Sequence, residues 1–165
     1  MKFKINHTKK SKDGKHHYYT SEQWDSRKPW IMVVNSSGAL PPDEFRVRLK
    51  KEGYGGLILV NLLSIVSYDL SKSNYYKLDT PEAAKNREVI TELLNYAEAV
   101  VIAWGDFPPL KPKDLNNLNS QIRYVLTIIQ SFNLKILCWG VTENKNPWSL
   151  ISSVQRGKFL IPYIT

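Results

Sequence analysis

The sequence is short of the residues that staple or metallate small proteins, with one cysteine and three histidines in 165 residues. A lone cysteine excludes an internal disulfide. Cys138 lies in the run Ile136-Leu137-Cys138-Trp139, where it reads as a small packing group. No Cys/His spacing suits zinc, and no metal or cofactor is expected. His7, His16 and His17 all fall in a lysine-rich N-terminal segment, and the His16-His17 pair reads as solvated. Long apolar runs are also missing, so no membrane span is expected. The start Met1-Lys2-Phe3-Lys4 is too polar for a signal peptide, and the expected location is cytoplasmic. There is neither a Gly-Lys-Ser/Thr loop nor a Gly-x-Gly-x-x-Gly after a strand. Gly53, Gly55 and Gly56 precede a strand and read as a helix stop and tight turn. Ser36 and Ser37 have no histidine near them in sequence, so no Ser-His-Asp set is evident.

Acidic residues are outnumbered, 15 against 23 Lys and Arg, which gives a net charge of +8. That excess favours polyanionic partners, nucleic acid or an acidic protein that imitates it. Lys2, Lys4, Lys9, Lys10, Lys12 and Lys15 crowd the N-terminus, and Arg46, Arg48, Lys50 and Lys51 form a second cluster. Five Trp, nine Tyr and five Phe are numerous beside such cations and suit base stacking.

Length and a 42% hydrophobic fraction fit a single globular domain over residues 1–165, with residues 1–24 as a basic hairpin or extension. Phe3 to Asn6 and His17 to Trp24 are the hairpin's expected strands, turning at Asp13-Gly14. Four apolar runs then read as buried strands: Trp30–Val34, Leu57–Val60, Ala99–Trp104 and Leu134–Trp139. Helices are expected from Pro41 to about Glu52, from an N-cap at Thr80, and along Leu115, Leu118, Ile122, Val125, Leu126, Ile129 and Phe132. Ser67 to Asp79 reads as a long polar loop, and Lys158 to Ile164 as a last strand or tail. The expected fold is therefore α/β: a three-layer sandwich with a central four-stranded parallel sheet flanked by helices, plus the N-terminal hairpin. Ligands of such a sheet sit beyond the carboxyl ends of the strands, here the loops starting at Asn35, Asn61, Gly105 and Gly140. These loops carry amides, hydroxyls and aromatics, including Ser64, Asp106 and Asn144. An asparagine both donates and accepts, which matches a pyrimidine edge, although it equally caps turns.

Those residues resemble a known family. Gly56-Leu57-Ile58-Leu59-Val60-Asn61-Leu62-Leu63-Ser64 is similar to the uracil-DNA glycosylase segment whose strand-end asparagine reads the uracil edge. Ile31-Met32-Val33-Val34-Asn35-Ser36-Ser37 resembles the motif that holds or activates the attacking water. Val101-Ile102-Ala103-Trp104-Gly105 resembles a Leu-Leu-Trp-Gly strand end, and Asn144-Lys145-Asn146-Pro147-Trp148-Ser149 takes the place of a His-Pro-Ser-Pro loop. From about Trp24 to Leu150 the chain also resembles an uncharacterised family of small bacterial, phage and mobile-element proteins. The resemblance implies remnant catalytic positions at Asn35, Asn146 and Ser149. It implies base contacts from Asn61, Ser36, Ser37 and Trp104. Trp148, Lys145, Arg46, Arg48 and Lys50 are the expected contacts to DNA or its mimic. The motif proline is replaced by Ser36, the late histidine by Asn146 or Ser149, and the water-handling acid by Asn35. Losing one oxyanion-type donor alone costs ~10²–10³ in rate. A catalytically weak or inactive monomer, binding DNA (single-stranded DNA included) or an acidic, DNA-mimicking glycosylase inhibitor through a basic groove, is the leading expectation. An active glycosylase of altered specificity and a plain DNA-binding accessory factor are the alternatives.

Overall fold

The computed structural model describes residues 3–38, 43–66, 73–149, 152 and 159–163. Its strands are β1 (His7–Lys10), β2 (His17–Gln23), β3 (Trp30–Asn35), β4 (Gly56–Asn61), β5 (Ala99–Ala103), β6 (Lys135–Cys138) and β7 (Ile161–Pro162). Its helices are α1 (Asp43–Lys51), α2 (Pro81–Leu93) and α3 (Pro112–Ser131), with short 3-10 turns at Ser73–Tyr76 and Leu94–Tyr96.

The architecture is α/β, but the four-stranded parallel sheet is corrected to a seven-stranded mixed one, ordered β1-β2-β4-β3-β5-β6-β7. The four apolar runs form its centre, β4-β3-β5-β6, all parallel. Strands β3, β4 and β5 are buried on both faces almost throughout, so they read as unbroken hydrophobic runs, whereas β6, nearer the edge, is partly exposed. Without further strands β4 would present a row of unpaired N–H and C=O groups. Strand β2 covers that edge antiparallel, from Tyr19 opposite Val60 to Gln23 opposite Gly56, and buries Tyr18 and Tyr19. At the other edge β7 pairs antiparallel with β6.

The hairpin's first strand is also shifted. Asn6 takes a left-handed φ of 52°, which turns the chain, and β1 begins at His7 rather than Phe3. Phe3 instead packs its ring against Trp30 and Tyr96. Gly14, at φ 72°, makes the expected turn between the two strands.

Helices cover both faces. Phe45 and Leu49 of α1 pack on Ile31, Val33, Leu57, Leu59 and Val101. On the opposite face Val89, Ile90 and Leu93 of α2, with Leu118, Val125 and Ile129 of α3, pack on Met32, Val34, Ile58 and Val60. Each such fully buried aliphatic side chain contributes about 1.5–3 kcal/mol. Thr80 caps α2, its Oγ1 accepting from the Ala83 N–H at 3.1 Å, and Pro81 opens the first turn. Leu115, expected on the apolar stripe of α3, is instead 45% exposed. Cys138 is buried, as its setting implied. Pro41, Pro42 and most of the Ser67–Asp79 loop before Ser73 lie outside the described residues, as do Lys158 and Ile164. No described helix is long and apolar enough to cross a membrane.

Candidate functional site

Asn35 and Asn61 end adjacent parallel strands and face each other in register, with Ala103 beside Asn35 on the other side. The asparagine-bearing turns therefore meet at one rim. The chain leaves β3 for α1 on one face and leaves β4 for α2 on the other. Divergence of this kind opens a crevice at the carboxyl ends of a sheet.

Both asparagines are turned inward. Asn35 is 3% exposed and its Nδ2 donates to the Ser37 carbonyl at 2.7 Å, closing its own turn. The two turns are stitched together by backbone bonds from Leu62 N–H to Asn35 O (2.7 Å) and Leu63 N–H to Ser36 O (3.0 Å). Asn61 is fully buried, and its Nδ2 donates to His17 Nδ1 at 2.7 Å and to the His17 carbonyl at 3.2 Å. His17 is thus not the solvated residue expected from its lysine-rich surroundings; it is 2% exposed. The side chain of Asn61 in this orientation makes Nδ1 the acceptor and leaves the ring proton on Nε2, which donates to Thr20 Oγ1 at 2.8 Å. Thr20 in turn meets Thr8 Oγ1 at 3.0 Å. Burial, with a lesser contribution from Lys10, pushes the His17 pKa down to about 4, so the ring is neutral.

The remaining predicted residues divide between the rim and elsewhere. Trp104 follows β5 and is buried, its indole N–H without a partner among the described residues. Ser149 lies over Gly105, close enough that a Cβ there would come within 2.9 Å of its own Cβ. Asn146 Nδ2 and Thr142 Oγ1 both donate to Asp106 Oδ1, at 2.7 and 2.9 Å. The hydrogen bond from Asn146, then those from Thr142 and Asn144, hold the Asp106 carboxyl below the usual carboxylate range. Lys145 occupies a left-handed turn at φ 62°, and the Trp148 ring lies against Gly140. The α1 cations are elsewhere. Arg46 pairs with Glu22 through both its Nε and Nη2, and with Asp43 at 2.8 Å. Its partner Glu22 sits opposite Leu57, four residues before Asn61, or ~13 Å below the rim at strand rise. Lys50 lies over the Trp24 ring at 5.4 Å, and Trp24 N–H bonds to Gly55 O, also at the amino end of β4.

A cavity of about 210 Å³ opens beside the rim, on the α2/α3 side, lined by residues 62–65, His16, Tyr75, Asn86 and Gln121 among others. Sequence reading missed Asn86, Gln121 and His17. The first two carried a signal: each is a polar residue on a helical apolar stripe, Asn86-Val89-Ile90-Leu93 and Leu118-Gln121-Val125. Asn86 Nδ2 donates to the carbonyls of Asn61 (2.9 Å) and Leu62 (3.4 Å). Gln121 Nε2 donates to the Leu62 carbonyl at 3.1 Å, and its Oε1 accepts from Arg87 Nε at 2.7 Å. Among the described residues no group of three or more His, Cys, Asp or Glu is placed to hold a metal ion.

Fold and rim together define an α/β protein whose polar cluster sits at the switch point of a parallel sheet core. The chain belongs to a family described as protein of unknown function (DUF1643), whose model matches residues 43–148. No curated protein and no solved structure matches it.

Proposed function

We propose that this protein is a glycosylase-like, non-excising module that binds single-stranded DNA. The observation that carries this reading is the internal commitment of Asn35 and Asn61. The resemblance gives them water and base to hold, yet each spends its amide N–H on the protein itself, and Asn61 keeps only a buried Oδ1 without a partner among the described residues. Asp106, the carboxylate after β5, is a weak base because three donors stabilise its charged form. Binding is supported by the net charge of +8 and by cations near the rim. The N-terminal hairpin is pinned there through Val66 N–H to Lys15 O and His17 N–H to Ser64 O. A groove lined by Lys77, Arg87 and Lys113 adjoins the same side.

The test is incubation of stoichiometric protein with uracil-containing single-stranded DNA, read for abasic sites and, in parallel, for binding against salt. We expect no abasic product and an affinity that falls steeply with salt. Abasic product that disappears in Asn61→Ala would overturn the proposal in favour of an active enzyme of altered specificity. The same charge suits an acidic, DNA-mimicking inhibitor protein; capture of such a protein with no affinity for DNA would make the module a decoy.

A further inference from the structure

We propose that the 210 Å³ cavity beside the rim receives one nucleobase, with the attached phosphate held in the adjoining basic groove. This inference rests on the nucleic-acid reading above and names the site and ligand chemistry for it.

The first observation is an unmet acceptor. Asn86 lines the cavity and is 1% exposed; its Nδ2 is fixed by two backbone carbonyls, and its Oδ1 has no partner among the described residues. A buried acceptor left unpaired costs about 1–3 kcal/mol, so a ligand N–H that reaches it recovers that loss. Neighbouring Gln121 has both ends of its amide engaged, which holds the wall rigid and leaves Asn86 as the reading group. The ligand must therefore donate a hydrogen bond, as the ring imides and exocyclic amines of bases do.

Size is the second observation. A cavity of about 150 Å³ takes a benzene-sized ring, and whole drug-sized ligands need about 300–1,000 Å³. At about 210 Å³ this one admits a base and excludes the sugar and phosphate attached to it. Leu62, Leu63 and Tyr75 supply apolar and aromatic walls for the ring.

Charge is the third. Lys77 and Leu78 line both the cavity and an open groove of about 630 Å³, so the two adjoin. The groove carries Lys77, Arg87 and Lys113 against one carboxylate, Asp79. A phosphate leaving the cavity mouth meets this net positive surface.

The experiment titrates the intact protein with nucleosides, nucleoside 5′-monophosphates and short single-stranded oligonucleotides by calorimetry. Monophosphates should bind about tenfold tighter than their nucleosides. Lys113→Glu, which lines the groove and not the cavity, should remove most of that difference and leave nucleoside affinity unchanged. Ala83→Leu, which projects into the cavity without touching Asn86's hydrogen bonds, should abolish binding of both while the thermal melt stays cooperative. Saturation by monophosphates but not oligonucleotides would support the cavity with free nucleotide as its ligand, and would overturn the DNA reading. Oligonucleotide binding indifferent to Ala83→Leu would keep the DNA reading and overturn the cavity. Failure of every nucleoside and monophosphate to bind at millimolar concentration would overturn it as well.

Discussion

His17 and Asn61 carry the most testable chemistry of the rim. The folded-state pKa of His17, about 4, lies below the ordinary value of 6.5. As pH falls, the unfolded chain takes up the proton first, so folding stability is full above the ordinary value and is lost on the way down to about 4. A shift of that size corresponds to roughly 3 kcal/mol. Urea denaturation between about pH 7 and 4.5 should show a falling midpoint, and His17→Gln should flatten most of that slope. Asp106 acts in a lower window, because its depressed pKa keeps its contribution until pH drops below the usual carboxylate range. Asn61→Ala strands His17 Nδ1 without a donor. It should cost about 1–3 kcal/mol in the same assay; a variant as stable as the parent would mean Asn61 serves a ligand rather than the fold.

Helix and strand ends set how the rim is held. Thr80→Ala removes the α2 cap and should lower stability by about 1 kcal/mol, with Thr80→Ser retaining most of it. Gly105 turns β5 into its loop at φ 71° with Ser149 pressed over it. Gly105→Ala adds left-handed strain of roughly 1–2 kcal/mol and a clash with Ser149; a melting temperature matching the parent would refute this packing. Phe45 anchors α1 through an edge-to-face contact with Trp139 at 4.8 Å between ring centroids. Phe45→Ala should cost about 3–5 kcal/mol by thermal or urea denaturation.

Across the protein, charge and topology separate two basic regions that look alike in sequence. The α1 arginines and lysines sit toward the amino ends of the strands, and Arg46 is already neutralised by Glu22 and Asp43. The hairpin's turn and the Lys77–Lys113 groove lie by the carboxyl rim. Charge reversal at Lys77 and Lys113 should therefore weaken oligonucleotide binding and reduce its salt slope by about two, whereas Lys50→Glu should leave both nearly unchanged. Equal losses from the two variants, measured across a salt series, would place the interface on the other face.

Local periodicity determined the four parallel strands, three of them buried almost throughout, the cap at Thr80 and the apolar faces of the helices, because these depend on neighbours within one or two turns of chain. The approach of Asn35 to Asn61 was legible too, since parallel strands with short loops align their carboxyl ends. Tertiary structure alone decided the rest. A polar, lysine-rich hairpin gave no local sign that β2 would seal the β4 edge and deliver His17 to Asn61 across 44 positions of sequence. The satisfaction of a buried amide is a long-range matter: it depends on which partner the sheet order brings within 3 Å, and no spacing rule along the chain records that.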